Sequence, residues 1–459
     1  MAAAPEMSAF ERRSVLFLTL LYIFRMLGLF MVLPLLALYA EQYEGATPLL
    51  MGLALGVYGL SQALLQIPFG MCSDRWGRKP LIAFGLLLFA LGSLLAAYSE
   101  TIWGLIAGRA LQGAGAIAGV IMALVGDVTA ERNRSKAMAS IGAAIGVAFA
   151  ISLVLGPVLA SWGGLPVLFM VTAALAVVGL LILQLGLPDP PRMKKAAPAA
   201  FSEVLGHGAL LRLTAAVFTL HFALMALFVA VPGMLMLQLG LQVTAHWQVY
   251  LPVMLLAFAF MVPAIIWAER AKRHHAVLRL SAALLFMAGL LLLLVGADLW
   301  AGAFALLAGL LLFFIGFNVL EASLPSMLTR LLSMEQRGAA SGVYSTGQFV
   351  GTFLGGLAGG ALLSLYGSSG VFALLVVLAV IIAGVLWQLP ALPEFNTLFV
   401  DVHADRRHTA PGQLSGLPGV LEVAVSEAGV ASIRVDEKDF REELLAALQL
   451  DAPMGQQIG

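Results

Sequence analysis

Long apolar runs dominate this sequence, each of about 18 residues or more and therefore able to cross a membrane as a helix. With 61% hydrophobic and 11% charged residues, the first 390 residues cannot form a soluble globule. In lipid, backbone groups must be hydrogen-bonded within the segment, so an all-α membrane protein is predicted. We number the runs as spans 1 to 12: 14–40, 48–72, 80–99, 102–126, 136–161, 165–187, 210–238, 246–268, 276–297, 300–328, 338–365 and 368–389.

Lysine and arginine are confined almost entirely to alternate loops and to the two tails. Of the 25 such residues, only Arg25 and Arg109 lie deep within spans; the others lie in these loops, in the tails or in the first four residues of a span. The other loops carry none. Because basic residues favour the cytoplasmic side, this pattern predicts that both termini are cytoplasmic and that the protein is multi-pass. We call the end of the bundle that carries 74–79 and the other basic loops the basic end, and the other end the opposite end.

The chain contains two similar halves. The same spacing of a proline, an acidic residue and an arginine occurs at Pro68, Asp74 and Arg78 and again at Pro263, Glu269 and Arg273. Six spans plus six, related by repetition, are typical of a transporter whose substrate site lies between the halves near mid-membrane. We predict a first six-helix bundle at 1–187, a proline-rich cytoplasmic linker at 188–208 and a second bundle at 209–390.

The composition changes after Pro393. Alternating apolar residues predict strands at 397–402, 420–425 and 430–435, and helical spacing predicts a helix at 436–450. A small soluble cytoplasmic α/β domain of ferredoxin-like type is therefore predicted at 395–450. It lacks paired cysteines, so we expect an interaction or regulatory module for an unknown partner rather than a metal carrier.

Charged and turn-forming residues crowd the gap between spans 2 and 3. Residues 70–81, Gly-Met-Cys-Ser-Asp-Arg-Trp-Gly-Arg-Lys-Pro-Leu, resemble motif A of the major facilitator superfamily. Arg109-Ala-Leu-Gln112-Gly in span 4 resembles that superfamily's second signature. Gly156-Pro157 in span 5 resembles the antiporter signature of its drug–proton exchangers. The chain is therefore similar to the twelve-helix drug–proton antiporter group, and this implies a location in the cytoplasmic (inner) membrane of a bacterium.

The resemblance implies a conformational latch at the basic end. Asp74, Arg78 and Asp127 are expected to form a network against the start of span 11, to stabilise the outward-open state and to separate when the protein changes state. The alternative is a basic loop that only orients the chain in the membrane. The residues assigned to the latch are Gly70, Asp74, Arg75, Gly77, Arg78, Lys79 and Asp127.

Span 5 carries the second feature that the resemblance points to. Gly156 and Pro157 are expected to form a hinge or a tight packing point, and the alternative is a simple kink.

Few ionisable side chains lie inside the spans, so the candidates for proton coupling are few. Glu321, near mid-depth in span 10, is the leading candidate for the group that gains and loses a proton. Arg25 is its expected counter-ion, and a static ion pair between the halves is the alternative. His221 either titrates as well or is a packing residue. Arg109 either modulates proton movement, bonds carbonyls of span 1, or is a purely structural donor.

Polar side chains near the same depth are expected to line a substrate cavity. They are Tyr22, Tyr58, Gln62, Gln66, Gln112, Asn318, Tyr344 and Gln348. No nucleophile–base arrangement, metal-ligand spacing or phosphate loop occurs in the sequence, so no enzyme activity, cofactor or metal is expected.

Together these features predict a secondary active transporter that works by alternating access, namely a proton-driven efflux antiporter of a small amphipathic or cationic compound. One alternative is a proton-coupled transporter of a sugar-like solute, since fold does not fix substrate. Another is a membrane sensor that transports nothing and signals through the C-terminal domain. The expected partners are the small molecule, protons and the lipid bilayer, without nucleic acid, and we expect a monomer.

Overall fold

The computed structural model describes residues 7–129, 131–187, 205–300, 302–332, 336–390, 396–402, 410–425 and 430–436. Within these ranges, eleven helices are long and apolar enough to cross a membrane. The predicted all-helical membrane architecture is therefore confirmed. The proposed linker at 188–208 lies mostly outside the described residues.

The first half has six spans. They are Ala9–Tyr39, Pro48–Trp76, Arg78–Ala97, the helix pair Ile102–Ala114 and Ala118–Val128 that makes up span 4, Glu131–Ala160, and Gly164–Leu181, which continues as the π-turn Ile182–Gly186. Spans 7 to 10 are Gly208–Leu239, Trp247–Arg270, His274–Gly296 and Ala303–Leu331.

Spans 11 and 12 follow one another in a single run, Arg337–Trp387, of 51 residues. As one straight helix this run would measure roughly 75 Å, more than twice the hydrocarbon thickness of about 30 Å. Gly367 interrupts it with φ 65° and ψ −161°, a conformation that favours glycine. Val376, beyond the break, packs on Gly289 of span 9. The run therefore contains two spans, which agrees with the predicted twelve.

Within each half the spans pack mainly on one another, and the contact of span 2 with span 11 joins the halves. Side chains fix the helix ends at the basic end. Arg13 Nε donates to the carbonyl oxygen of Gly186 at 3.2 Å, and Lys79 Nζ donates to that of Leu187 at 2.8 Å. The starts of spans 1 and 3 and the end of span 6 therefore lie together, as the alternating direction of the spans requires.

Three strands follow the spans: β1 Asn396–Asp401, β2 Val420–Val425 and β3 Val430–Val435, with a short helix Ala410–Ser415 between β1 and β2. The sheet order is β1-β3-β2, and β3 is antiparallel to both neighbours. The strands lie where the alternating pattern predicts them. Residues 437–450, where a second helix is expected, lie outside the described residues, so the ferredoxin-like domain stays a prediction.

Candidate transport site and its flanking charge clusters

Arg78 is the centre of the charge cluster at the basic end of the first half. Its guanidinium lies 2.7 Å from Asp74 Oδ1 and 2.9 Å from Asp127 Oδ2, and it also donates to the Ser73 hydroxyl. The Arg78 side chain is 7% exposed, and a guanidinium so buried needs carboxylates to neutralise it. The three predicted side chains are therefore in contact. Ser73 is a partner that the sequence pattern does not reveal.

The other residues of the motif shape the turn around this cluster. Gly77 has φ 100° and ψ 154°, a left-handed conformation that would strain any other residue. Lys79 ties the start of span 3 to the end of span 6 through the carbonyl of Leu187, whereas Arg75 is exposed. The geometry of the turn is thus explained, and its role as a latch stays a prediction.

Spans 2 and 11 approach each other closely at the opposite end. A methyl group on Gly56 would lie 2.5 Å from the carbonyl oxygen of Phe353, and one on Gly52 would overlap the carbonyl oxygen of Gly356. Only glycine allows backbones to come this close. The opposite end between these two spans is therefore sealed by direct backbone packing.

Towards the basic end the same two helices pack less closely. A methyl group on Gly342 would reach only Ile67 Cγ1, at 4.0 Å, and one on Gly70 or Gly338 would meet no described atom within 4 Å. The ion pairs of Arg78 are formed in this conformation, and both carboxylates belong to the same half as Arg78. The expectation that the cluster separates when the protein changes state stays a prediction.

The second half has its own charge cluster at the basic end. Arg330 Nη2 lies 2.8 and 2.9 Å from the two carboxylate oxygens of Glu269, and Arg330 Nη1 lies 3.3 Å from His274 Nε2. The repeat spacing points to Arg273 as the counterpart of Arg78, but Arg273 is exposed, and Arg330 from the end of span 10 pairs with Glu269 instead. Arg330 on span 10 thus supplies the cation in the second half, whereas in the first half Arg78 at the start of span 3 supplies it to acids of spans 2 and 4.

A polar cluster deeper in the first half is built around Tyr58. The Tyr58 hydroxyl accepts hydrogen bonds from Arg25 Nη2 at 3.0 Å and from Gln62 Nε2 at 2.9 Å. The Arg109 guanidinium lies over the same ring, 4.9 Å from its centroid. Arg25 is 3% exposed and Arg109 is fully buried. Two buried cations therefore share one tyrosine, one through its hydroxyl and the other through its π face.

Arg109 is held by spans 2 and 4. Its Nε donates to the carbonyl oxygen of Ala54 at 3.3 Å and its Nη1 to Gln112 Oε1 at 2.9 Å, while Gln112 Nε2 donates to Ser93 Oγ at 2.7 Å. The expected carbonyl partner on span 1 is replaced by Ala54 of span 2. Gln112 is fully buried between spans 3 and 4, so its expected place in the cavity lining is wrong. The hydrogen bond to Arg109 explains why Gln112 is buried.

Glu321, in the second half, is 37% exposed, and its Oε2 lies 3.7 Å from His221 Nε2. His221 Nδ1 lies 3.1 Å from the carbonyl oxygen of Val217, and Nε2 lies 2.8 Å from the Gln348 amide nitrogen. A carbonyl only accepts, so Nδ1 carries a ring proton.

Arg25 and Glu321 lie in opposite halves without bonding to each other. Among the ion pairs within 4 Å that the described residues form, none joins these two side chains. The expected counter-ion contact is therefore not formed in this conformation. Arg25 is instead held by Tyr58, which lies on span 2.

Buried polar atoms without a hydrogen-bond partner among the described residues remain in both halves. They are Arg25 Nε, Gln62 Oε1 and Gln66 Oε1 of the first half and Asn318 Nδ2, Glu321 Oε2 and Tyr344 Oη of the second. Tyr22, three residues before Arg25 on span 1, is also buried. Converging polar groups in an apolar setting are what a small-molecule site requires.

Span 5 lies close to span 1 near its end. A methyl group on Gly156 would lie 3.0 Å from the carbonyl oxygen of Met31, and the Ser152 hydroxyl donates to the carbonyl oxygen of Leu27 at 3.3 Å. The helix Glu131–Ala160 continues through Pro157. The site is thus a point of close packing within an unbroken helix, and its use as a hinge stays a prediction.

The long apolar helices of the described residues define a multi-pass membrane protein. Residues 18–322 match the family model of the Major Facilitator Superfamily. The chain therefore belongs to that superfamily, whose members are transporters and not enzymes.

Known proteins similar to this chain agree with that assignment. The inner membrane transport protein YajR of Escherichia coli K12 is 40% identical over 441 residues, which cover 94% of this chain and 96% of YajR. The class H tetracycline resistance protein of Pasteurella multocida is 32% identical over 156 residues, covering 33% of this chain and 37% of that protein. A bacterial homologue of the human lysosomal transporter Spinster has the same fold, with a TM-score of 0.70 at 15% identity over 83% of this chain and 97% of that one.

Proposed function

We propose that this protein is a proton-coupled secondary transporter that exports a small amphipathic or cationic compound by alternating access. The positions of Lys and Arg favour a cytoplasmic basic end. With that orientation, the separation of spans 2 and 11 around Gly70 and their close packing at Gly56 correspond to an inward-facing state. The resemblance to the drug–proton exchangers and the partial relationship to a tetracycline resistance protein support export.

The observation that carries the proposal is the position of Glu321. It lies in the middle of an apolar helix of 29 residues, Ala303–Leu331, yet 37% of its side chain is exposed. A carboxyl group at this depth is expensive to keep charged and is rarely retained without a function. Its exposure lets it exchange protons with water that enters from the separated basic end.

Exchange of protons for substrate follows if a single carboxylate binds the proton and the substrate at different times. In the inward-facing state Glu321 releases its proton to the cytoplasm, and its negative charge then attracts a cationic group of the substrate. When the site faces outward, a proton from the external medium competes for the same carboxylate and the cation leaves. Because the proton and the cation exclude each other, each lowers the affinity for the other by the same factor.

The test is uphill transport in proteoliposomes with an imposed pH gradient, screened over small amphipathic cations. The parent is expected to accumulate a compound against its gradient, whereas Glu321→Gln should allow only downhill exchange. Glu100→Gln is the matched control, because it makes the same change at an exposed loop residue of the opposite end and should transport as the parent does. Uphill transport by Glu321→Gln at the parental rate would show that Glu321 does not carry the proton.

A further inference from the structure

We propose that the transported compound is zwitterionic, with an anionic group such as a carboxylate bound by Arg25 and a cationic group bound by Glu321. This inference rests on the proposed function, because it takes the space between the halves as the transport site. It adds the chemical class of the substrate and gives Arg25 a direct role in binding it.

Arg25 is a buried cation whose charge is not balanced by an acid within the described part of the chain. Its side chain is 3% exposed. Nη2 donates to the neutral hydroxyl of Tyr58, and Nε is buried without a hydrogen-bond partner. A guanidinium at this depth is stabilised by a carboxylate or a comparable anion. No described carboxylate lies within ion-pair distance of it.

Glu321, in the other half, is a carboxylate with an unused hydrogen-bond acceptor. Its Oε2 accepts no hydrogen bond from the described residues, and its nearest basic group, His221 Nε2, lies 3.7 Å away, which is longer than a hydrogen bond. A cationic group of a ligand would pair with this oxygen.

The two unlike charges lie in opposite halves at comparable depth and do not pair with each other. Arg25 is twelve residues from Arg13 and Glu321 is nine residues from Arg330, and both of these outer arginines lie at the basic end. A simple cation at Glu321 would be repelled by Arg25 and by Arg109, which lies behind Tyr58. A simple anion at Arg25 would be repelled by ionised Glu321. A molecule that carries both charges would pair with both residues. Repulsion between like charges would disfavour molecules that carry only one charge.

The same molecule would link the halves. Arg25 is on span 1 and Glu321 is on span 10, so a bound zwitterion contacts both bundles at once. Its release after protonation of Glu321 would remove one of those two contacts.

The test uses the purified full-length protein in detergent and matched triples of amphipathic probes. One triple is L-phenylalanine, its amide and its N-acetyl derivative, which are a zwitterion, a cation and an anion with the same ring; the second is the equivalent tryptophan triple. Binding is measured by calorimetry and by the shift of the thermal unfolding midpoint. In at least one triple the zwitterion should bind at least tenfold more tightly than either singly charged member. Equal or tighter binding of the cations, or no preference in either triple, overturns the proposal.

Two variants test whether Arg25 and Glu321 cause the preference for the zwitterion. Arg25→Gln should abolish the tighter binding of the zwitterion relative to the cation. Glu321→Gln should abolish the tighter binding of the zwitterion relative to the anion. Arg273→Gln is the matched control, because it makes the same substitution at an exposed arginine, and it should retain the preference. Arg25→Lys keeps the charge and should also retain a preference for the zwitterion. If Arg25→Lys and Arg25→Gln behave alike, Arg25 has only a structural role and the proposal fails.

This outcome is independent of proton coupling, because no pH gradient is applied. A protein that prefers zwitterions but shows no coupling through Glu321 would refute the proposed function alone. Coupling through Glu321 together with a preference for simple cations would refute this inference alone. If Arg25→Gln cannot be purified, Arg25→Lys still decides, because loss of the zwitterion preference in that variant overturns the proposal.

Discussion

The contact between spans 2 and 11 differs at its two ends, although the same two helices form both. At the opposite end, Gly52 and Gly56 bring the backbone of span 2 against Gly356 and Phe353 with no room for a methyl group. At the basic end, the surroundings of Gly70 are open. The opposite end is therefore closed by direct backbone packing, and the basic end is bordered by charged clusters.

This difference indicates how the two halves move. Closely packed backbones cannot be stretched gradually, so the glycine contacts either form or separate as a unit. The charge clusters around Arg78 and Arg330 each join helices of a single half. We therefore expect the charge clusters to make each half move as a rigid body. We expect the glycine contacts to determine which end is closed.

The largest expected effect comes from filling the sealed end. Gly56→Val places side-chain atoms where the carbonyl oxygen of Phe353 lies, and overpacking of this kind costs about 1–3 kcal/mol. The population ratio should shift by about five- to more than a hundredfold towards a state in which the opposite end is open. Spin labels at Glu44 and Ala297 report the distance across the opposite end, and labels at Arg75 and Arg273 report the basic end. The native Cys72 is replaced by serine in all variants.

Gly70→Val is the matched control, with the same substitution on the same helix. It meets open space in the described conformation, so the distances across both ends should stay as in the parent or shift further towards this state. If Gly56→Val leaves the label distances unchanged, the glycine contacts do not determine which end is closed.

The next largest effect is expected from the first charge cluster. Arg78→Gln leaves Asp74 and Asp127 without their shared cation, and loss of one partner from a buried pair costs about 3 kcal/mol. The midpoint of thermal unfolding in detergent should fall accordingly. Arg75→Gln, which changes an exposed arginine of the same turn, should leave the midpoint nearly unchanged.

A smaller effect is expected from the second cluster. Arg330→Gln removes one bonded pair with Glu269, and the Arg330 side chain is 19% exposed against 7% for Arg78, so water compensates for part of the loss. The free energy of unfolding should fall by about 1 kcal/mol. If Arg330→Gln lowered the free energy of unfolding as much as Arg78→Gln does, burial of the arginine would not explain the difference in stability between the two clusters.

The sequence predicts the spans, the halves and the contact of Arg78 with Asp74 because these depend on local properties, namely apolar length, repetition and an i, i+4 spacing. The contact of Arg78 with Asp127 is expected only from the family resemblance. The sequence does not predict that Arg330 replaces Arg273, or that Gln112 is buried. Both depend on how each helix is rotated about its axis. In a membrane protein the lipid-facing and core-facing sides are both apolar, so periodicity gives little information about rotation. The expected pairing of Arg25 with Glu321 fails for a related reason, because Tyr58 is closer to Arg25 once the spans are packed.

The central claim is that Glu321 holds either a proton or the substrate. It is tested most directly by adding the tightest-binding probe to the purified protein in weakly buffered solutions over a range of starting pH and recording the change in pH with a dye. At the starting pH values where Glu321 of the free protein is protonated, the parent is expected to release up to about one proton per bound molecule, since the two ligands exclude each other, and Glu321→Gln should release none at any pH. Equal release by the parent and Glu321→Gln, or none from the parent at any pH, would contradict the claim.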